Sequence, residues 1–163
     1  MKYVNFCLTV IVSLIFISSS TKTNKPSTGY YPGEQIPNIA LQGSEGNNLE
    51  LGDYKGKKVV LNFWAAYDAN SRARNVQLHN FLKKYYPDVT LVSVSFDDNE
   101  NVFEKTLLLD EIEPVNQFCE FAGIQSEVYK NFRLAKGFKN YLLDENGVIK
   151  AMDLTPGKLQ NML

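Results

Sequence analysis

The sequence contains few of the side chains that most often carry enzyme chemistry. Only one of its 163 residues is histidine and two are cysteine, so a framework of several disulfides is excluded. The net charge is -1, and the lysines and arginines are spread along the chain, which excludes the basic patch of a nucleic-acid-binding protein. Apolar residues make up 44% and charged residues 21%, a composition typical of one globular domain with its own core.

The first 20 residues have the pattern of a secretory signal peptide. Lys2 precedes an apolar run over residues 6–17, and three serines follow at 18–20. The run is well short of the roughly 20 residues that a membrane-spanning helix needs, so no stable membrane insertion is expected after cleavage. The mature protein is therefore predicted to be exported, to the periplasm or cell envelope of a bacterium.

Two residues of this segment, Ser20 and Cys7, determine whether a lipid anchor is expected and which thiols the mature protein keeps. Ser20 stands where a bacterial lipoprotein has its acylated cysteine, so a lipid anchor is not expected. Cleavage also removes Cys7 and leaves Cys119 as a lone thiol, which we expect to be a small buried apolar side chain.

The rest of the chain is predicted to form a flexible leader and one α/β domain. Residues 21–35 are polar and rich in Pro, Ser, Thr and Gly, which indicates the leader, and the domain follows at 36–163. Apolar residues on both sides of the turn-rich stretch 43–48 predict a short hairpin. Buried strands at 59–65 and 89–96 then alternate with helices at 71–86 and 100–109. In the first of these helices, the predicted core face consists of Ala73, Val76, Phe81, Leu82 and Tyr85.

The last third of the chain contains shorter elements. Residues 115–121 fit a strand or a helical turn equally well, and residues 126–132 predict a short helix. Strands at 141–144 and 148–152 form a hairpin through Asn146-Gly147, and Thr155-Pro156 opens a closing helix. This order implies a mixed sheet of about five strands with helices on both faces.

Several segments together resemble a known family. They are KGKKVVLNFWAAYDANSR at residues 55–72, VSVSFDD at 92–98 and LLDENGVI at 142–149. In this order they are similar to the exported thiol–disulfide oxidoreductase branch of the thioredoxin-like superfamily, which is TlpA/ResA-like and related to AhpC/TSA proteins. The resemblance implies a thioredoxin-like three-layer α/β sandwich with a mixed central sheet and an N-terminal β-hairpin.

The residues that carry the family's redox chemistry are missing from the matching positions. In the family, tryptophan and then Cys-x-x-Cys follow NFWA after one residue, whereas this chain has Tyr67 and then Asp68, Ala69, Asn70 and Ser71. Disulfide exchange needs a thiolate to attack and a second thiol to resolve the mixed disulfide, and neither a carboxylate nor a hydroxyl forms that intermediate. The family's cis-proline position is occupied by Phe138, for which a trans peptide bond is predicted.

Asp68 has a structural explanation at the degenerate motif. Asp, Asn and Ser are residue types that cap helix N-termini, so the turn is predicted to keep its structural role without its redox role. A general-base role for Asp68 is not favoured, because a helix N-terminus stabilises the charged carboxylate and so makes it a weaker base.

Other candidate sites have simpler explanations. His79 has Asn75 and Lys83 one turn away, not a metal ligand, and is predicted to lie at the surface or boundary of the helix. Asp97, Asp98 and Glu100 lack the spacing of a calcium loop and are predicted to belong to a capping box. The peroxidatic cysteine of a peroxiredoxin is not found in its expected context. No cofactor or metal is expected.

Two functions remain open at this point. The favoured one is a redox-inactive, degenerate oxidoreductase (a pseudoenzyme) that binds a protein or peptide through the former active-site groove, formed by Tyr67, Asp68, Ala69, Asn70, Ser71 and Phe138. The alternative is a thiol–disulfide oxidoreductase or antioxidant-type protein that acts through Cys119 with a partner's thiol. An exposed, acidic Cys119 favours the alternative, and a buried, inert one favours the binding module.

Overall fold

The structure, a computed structural model, describes residues 25–41 and 48–163. The predicted signal peptide, with Cys7 and Ser20, lies outside the described residues, as do residues 21–24 of the predicted leader and most of the turn at 43–48. Within the described ranges, no helix is long and apolar enough to cross a membrane.

A mixed five-stranded sheet forms the centre of the described domain, as predicted. A separate hairpin precedes it, in which β1 (Ala40–Leu41) pairs antiparallel with β2 (Leu49–Glu50). The strands of the main sheet are β3 (Val59–Trp64), β4 (Thr90–Ser95), β5 (Gln117–Cys119), β6 (Asn140–Leu143) and β7 (Ile149–Met152). Their order across the sheet is β5-β4-β3-β6-β7. The first three run parallel to one another, and β6 and β7 are antiparallel to their neighbours.

Four α-helices connect or follow these strands in the described chain. They are α1 (Ala69–Tyr85), α2 (Glu100–Leu109), α3 (Glu127–Asn131) and α4 (Pro156–Gln160). Ser126 caps α3 and Thr155 caps α4, with Pro156 in the first turn of α4 as predicted. The ambiguous stretch around residue 118 forms the edge strand β5, where it pairs parallel with β4.

The alternation of side chains along β3 creates two apolar layers. Val59, Leu61 and Phe63 face the hairpin and the region of α3, whereas Val60 and Trp64 lie in the clusters that α1, α2 and α4 complete. All six residues of β3 are buried, because a strand covered on both faces is removed from water along its whole length. The predicted helices on both faces are therefore confirmed.

A buried polar network fixes α1 on the sheet. Asn75 Oδ1 accepts hydrogen bonds from Asn62 Nδ2 of β3, at 3.0 Å, and from Ser93 Oγ of β4, at 2.7 Å. The buried face of α1 consists of Ser71, Asn75, Leu78 and Leu82. Of the predicted face, Leu82 is buried and Val76 and Phe81 pack partly buried against the core, whereas Ala73 and Tyr85 are exposed. Hydrophobicity alone did not reveal that two polar residues are buried.

Part of the predicted flexible leader contacts the domain. Glu34 and Gly33 exchange backbone hydrogen bonds with Ile149 of β7, and the Ile36 N–H donates to the Gly147 carbonyl. The Tyr30 ring lies 4.8 Å from the ring of Phe132, edge to face. The polar composition of this segment did not indicate that its backbone pairs beside β7, where these groups are satisfied.

Candidate functional site

The degenerate motif forms a tight turn between the end of β3 and the start of α1. Asp68 is the N-cap of α1, and its Oδ1 accepts a hydrogen bond of 2.7 Å from the Ser71 N–H. The Ser71 hydroxyl donates to the Asp68 carbonyl and accepts from the Ala65 N–H, both at 3.2 Å. The predicted capping role of Asp68 is therefore confirmed. The two residues at the family's thiol positions hold the turn together through hydrogen bonds.

A buried carboxylate supports the same turn from the neighbouring strand. Asp97 lies two residues beyond the end of β4, and both of its carboxylate oxygens lie 3.0 Å from the Ala66 nitrogen. The Ser95 hydroxyl donates to the same carboxylate at 2.6 Å. Asp97 is only 3% exposed, so these hydrogen bonds compensate for its removal from water.

The predicted capping box at residues 97–100 is corrected by this arrangement. The N-cap of α2 is Asn99, whose side chain accepts from the Val102 N–H, and not Asp97. The carboxyl ends of the parallel strands β3 and β4 meet at one edge of the sheet, which places Asp97 beside the motif turn. Ala66 and Asp97 are thus distant in sequence and adjacent in space.

Aromatic side chains surround the exposed side of the turn. Tyr67 is 63% exposed, and its ring lies 6.2 Å from the ring of Phe138. Phe138 in turn lies 6.0 Å from Phe96 and 6.2 Å from Tyr129. We refer to Tyr67, Phe96, Tyr129 and Phe138 as the aromatic surface. Phe96 is buried and forms its base, whereas Tyr67 projects into solvent.

The backbone carbonyl of Phe138 is hydrogen-bonded within the domain. The peptide bonds of Phe138 are trans, as predicted. Its carbonyl accepts a hydrogen bond of 2.6 Å from Arg74 Nη2 of α1, and the next carbonyl, that of Lys139, accepts from the Phe63 N–H. The Phe138 carbonyl is therefore not free to pair with a strand of a partner, and a partner at this point contacts side chains.

Cys119 is buried and protonated. It is 3% exposed at the end of β5, in an apolar cluster with Trp64 and Phe103, and its Sγ donates to the Asp97 carbonyl at 3.2 Å. Burial raises the pKa of the Cys119 thiol to about 12, and the nearby Asp97 carboxylate also acts to raise it. The thiolate needed for disulfide exchange is therefore strongly disfavoured.

The remaining predicted candidates do not form a metal-binding cluster in the described residues. His79 is half-buried on α1; burial lowers its pKa, and Lys83 lowers it further. Asp98 and Glu100 are exposed. In the described part of the chain, no three His, Cys, Asp or Glu side chains are grouped closely enough to hold a metal ion.

An ion pair beside the turn connects α1 to α2. The Arg72 guanidinium contacts both carboxylate oxygens of Asp110, with Nε to Oδ2 at 2.8 Å and Nη2 to Oδ1 at 2.6 Å. Asp110 is largely buried and Arg72 partly so. The sequence pattern places Arg72 at the end of the motif segment, but it assigned Asp97 to a capping box and did not single out Tyr129 or Arg74. Their relation to the turn is set by the packing of distant segments.

Comparison with known proteins gives consistent matches. The profile of the AhpC/TSA family matches residues 32–152. The thioredoxin-like protein YneN of Bacillus subtilis (strain 168) is 28% identical over 131 residues, which cover 78% of this chain and 74% of YneN. The thiol-disulfide oxidoreductase ResA of Bacillus thuringiensis subsp. konkukian is 29% identical over 118 residues, which cover 72% of this chain and 66% of ResA.

A solved structure matches the described fold over most of the chain. The crystal structure of a thioredoxin-like protein from Parabacteroides distasonis superposes with a TM-score of 0.72 and 42% sequence identity. The match covers 85% of this chain and 98% of that one.

Proposed function

Because the chain belongs to the AhpC/TSA family, in the TlpA/ResA-like branch of the thioredoxin-like superfamily, we propose that it is a binding module that has lost disulfide exchange. It engages an extended segment of another protein through the aromatic surface and the motif turn. The observation that carries this proposal is the turn itself, where Asp68 and Ser71 replace both thiols and bond to each other. The turn and the helix that follows it are present, whereas the two sulfur atoms are not.

The state of Cys119 supports the loss of redox chemistry. A thiol with a pKa near 12 is almost entirely protonated at neutral pH, and its burial blocks the approach of a substrate disulfide. In the described chain, Cys119 is the single cysteine. The names of the relatives suggest thiol–disulfide exchange. In this chain, the alternative of exchange through Cys119 with a partner's thiol requires the buried thiol at the end of β5 to become exposed.

The exposed aromatic residues support binding. Tyr67 presents more than half of its side chain to solvent next to Phe138, and exposed tyrosines commonly anchor protein interfaces. The turn beneath Tyr67 is fixed by the Asp68 cap and by the Asp97 bond to Ala66, so little ordering is needed when a partner binds. We also propose that the protein acts outside the cytoplasm, on the basis of the signal peptide pattern in its first 20 residues.

A peptide-selection experiment tests the binding function. A library of random peptides displayed on phage is selected against the full chain, and selected peptides are then synthesised and titrated against Tyr67→Ala. We expect the selected peptides to bind the wild-type chain and to lose about fivefold or more in affinity with Tyr67→Ala, because removal of an interface anchor commonly costs more than about 1 kcal/mol.

Tyr85→Ala is the matched control. Tyr85 is also an exposed tyrosine, at 58% against 63% for Tyr67. It is the last residue of α1 and lies at the opposite end of that helix from the motif turn. Peptide affinities that fall equally in both variants, or that change in neither, contradict binding at the aromatic surface.

A further inference from the structure

The aromatic surface lies beside three carboxylates. Asp68 directly follows Tyr67 in the chain, and Asp97 is fixed next to the turn by its bonds to the Ala66 N–H. Asp98 follows Asp97, is exposed, and packs beside Gly123. We refer to Asp68, Asp97 and Asp98 as the acidic rim.

The cation that interacts electrostatically with the acidic rim is paired elsewhere: Arg72, which interacts with Asp97, forms its ion pair with Asp110. The ion pairs of the described residues are Arg72–Asp110, Lys83–Glu113 and Lys130–Glu127, and none of them involves a rim residue. Asp68 and Asp97 accept hydrogen bonds from uncharged N–H and O–H groups, and Asp98 has no side-chain partner in the described chain. Arg74, the cation bonded at Phe138, donates to a carbonyl and not to a carboxylate.

The carboxylates of the acidic rim also act on Tyr67. Partial burial raises the pKa of Tyr67, and Tyr129, Asp97, Asp68 and Asp98 raise it further in that order. The three aspartates therefore place negative charge near the Tyr67 ring. A cation over such a ring gains from both the π face and the neighbouring carboxylates.

We propose that the segment bound at the aromatic surface carries a lysine or arginine, whose side chain lies over Tyr67 and whose charge lies toward Asp98. This inference rests on the proposed function, because it specifies the chemistry of the partner at the same surface. Apolar neighbours of that cation contact Phe138 and Tyr129. Charge complementarity of this kind determines which partner is selected and how fast it associates more than it determines total affinity.

Matched peptides test the inference. The probes are three short, capped peptides of valine, alanine and threonine that are identical except for one central residue, which is lysine, norleucine or glutamate. Norleucine keeps the apolar stem of lysine without its charge. Binding to the full chain is followed by shifts of backbone amide resonances at Tyr67, Asp98 and Phe138, at about 20 mM and about 500 mM salt.

The variant Asp98→Asn removes one exposed rim charge and no hydrogen bond or ion pair of the described residues, so it is expected to fold normally. Glu145→Gln removes the same charge from the turn between β6 and β7, away from the motif turn, and is its matched control. We expect the lysine peptide to bind more tightly than the norleucine peptide at low salt, and the glutamate peptide most weakly. The affinity for the lysine peptide falls about two- to fivefold in Asp98→Asn and stays unchanged in Glu145→Gln.

The outcomes separate the two proposals. Equal binding of the lysine and norleucine peptides overturns the cationic partner and leaves binding at the aromatic surface intact. A lysine preference that survives Asp98→Asn and high salt overturns the placement of the charge toward Asp98. If none of the three peptides shifts the Tyr67 and Phe138 resonances, both the inference and peptide binding at this surface are wrong.

Discussion

At the scale of single residues, hydrogen bonds hold the motif turn at the two positions where the family carries its thiols. Asp68 supplies an acceptor for the helix N-terminus, and Ser71 supplies one for the Ala65 N–H just after β3. A cysteine pair at these positions would supply thiols instead. The backbone of the turn is therefore satisfied without the family's thiols.

Removal of the Asp68 cap is expected to lower the free energy of unfolding modestly. Asp68→Ala leaves the Ser71 N–H without its acceptor, and we expect the free energy of unfolding to fall by about 1 kcal/mol in urea denaturation. Asp68→Asn keeps an acceptor oxygen and is expected to lose much less. An Asp68→Ala variant as stable as the wild type contradicts the capping role.

His79 predicts a pH dependence of stability. Its pKa in the folded chain is below the unfolded value of 6.5, so the unfolded chain binds the proton more readily. The contribution of neutral His79 is fully present above pH 6.5 and is lost as the pH falls toward the folded pKa. We expect the wild type to lose more stability than His79→Gln between pH 7 and pH 5, measured by urea denaturation. Parallel curves for the two proteins exclude this effect.

At the scale of elements, two ion pairs on α1 allow a direct comparison. The Arg72–Asp110 pair joins α1 to α2 with side-chain exposures of 34% and 12%, whereas Lys83 and Glu113 are 60% and 63% exposed. Exposed pairs contribute little because water screens them, and removing one partner of a more buried pair leaves a charge unpaired. The two pairs therefore differ in their expected effect on stability.

We expect Arg72→Ala to lower the free energy of unfolding by about 1–2 kcal/mol, after allowance for the partial exposure of Arg72. Lys83→Ala is the control and is expected to change it by less than about 0.5 kcal/mol. A double-mutant cycle with Asp110→Ala isolates the interaction. A coupling energy of zero in that cycle shows that the link between α1 and α2 does not depend on this pair.

The sequence predicts the elements better than it predicts their contacts. The strand VVLNFW and the Asp68 cap follow from local patterns, and the Asn146-Gly147 turn marks the last hairpin. Local patterns did not reveal the buried Asn75, the pairing of residues 33–36 beside β7, or the bond from Asp97 to Ala66. Each of these depends on which distant segments the sheet brings together, and a polar side chain gives no local sign that it will be buried with a partner.

At the scale of the whole molecule, the fold and the activity have separate determinants. The sheet order, the hairpin and the helices on both faces are those of a thioredoxin-like domain, and the structural match extends over 85% of the chain. The reaction of such a domain depends on two thiols in one turn, and this chain has neither. The absence of those thiols could be seen from the sequence, and the structure confirms the predicted burial of Cys119.

Disulfide exchange by the full chain tests the central claim most directly. Reduction of insulin disulfides by dithiothreitol is followed for three proteins that all carry Cys7→Ser: the parent, Cys119→Ser, and the double variant Asp68→Cys, Ser71→Cys. We predict that the parent and Cys119→Ser match the uncatalysed rate and that the double variant exceeds it, because its thiols lie at a helix N-terminus. Turnover by the parent that disappears in Cys119→Ser contradicts the account and identifies Cys119 as the reactive site.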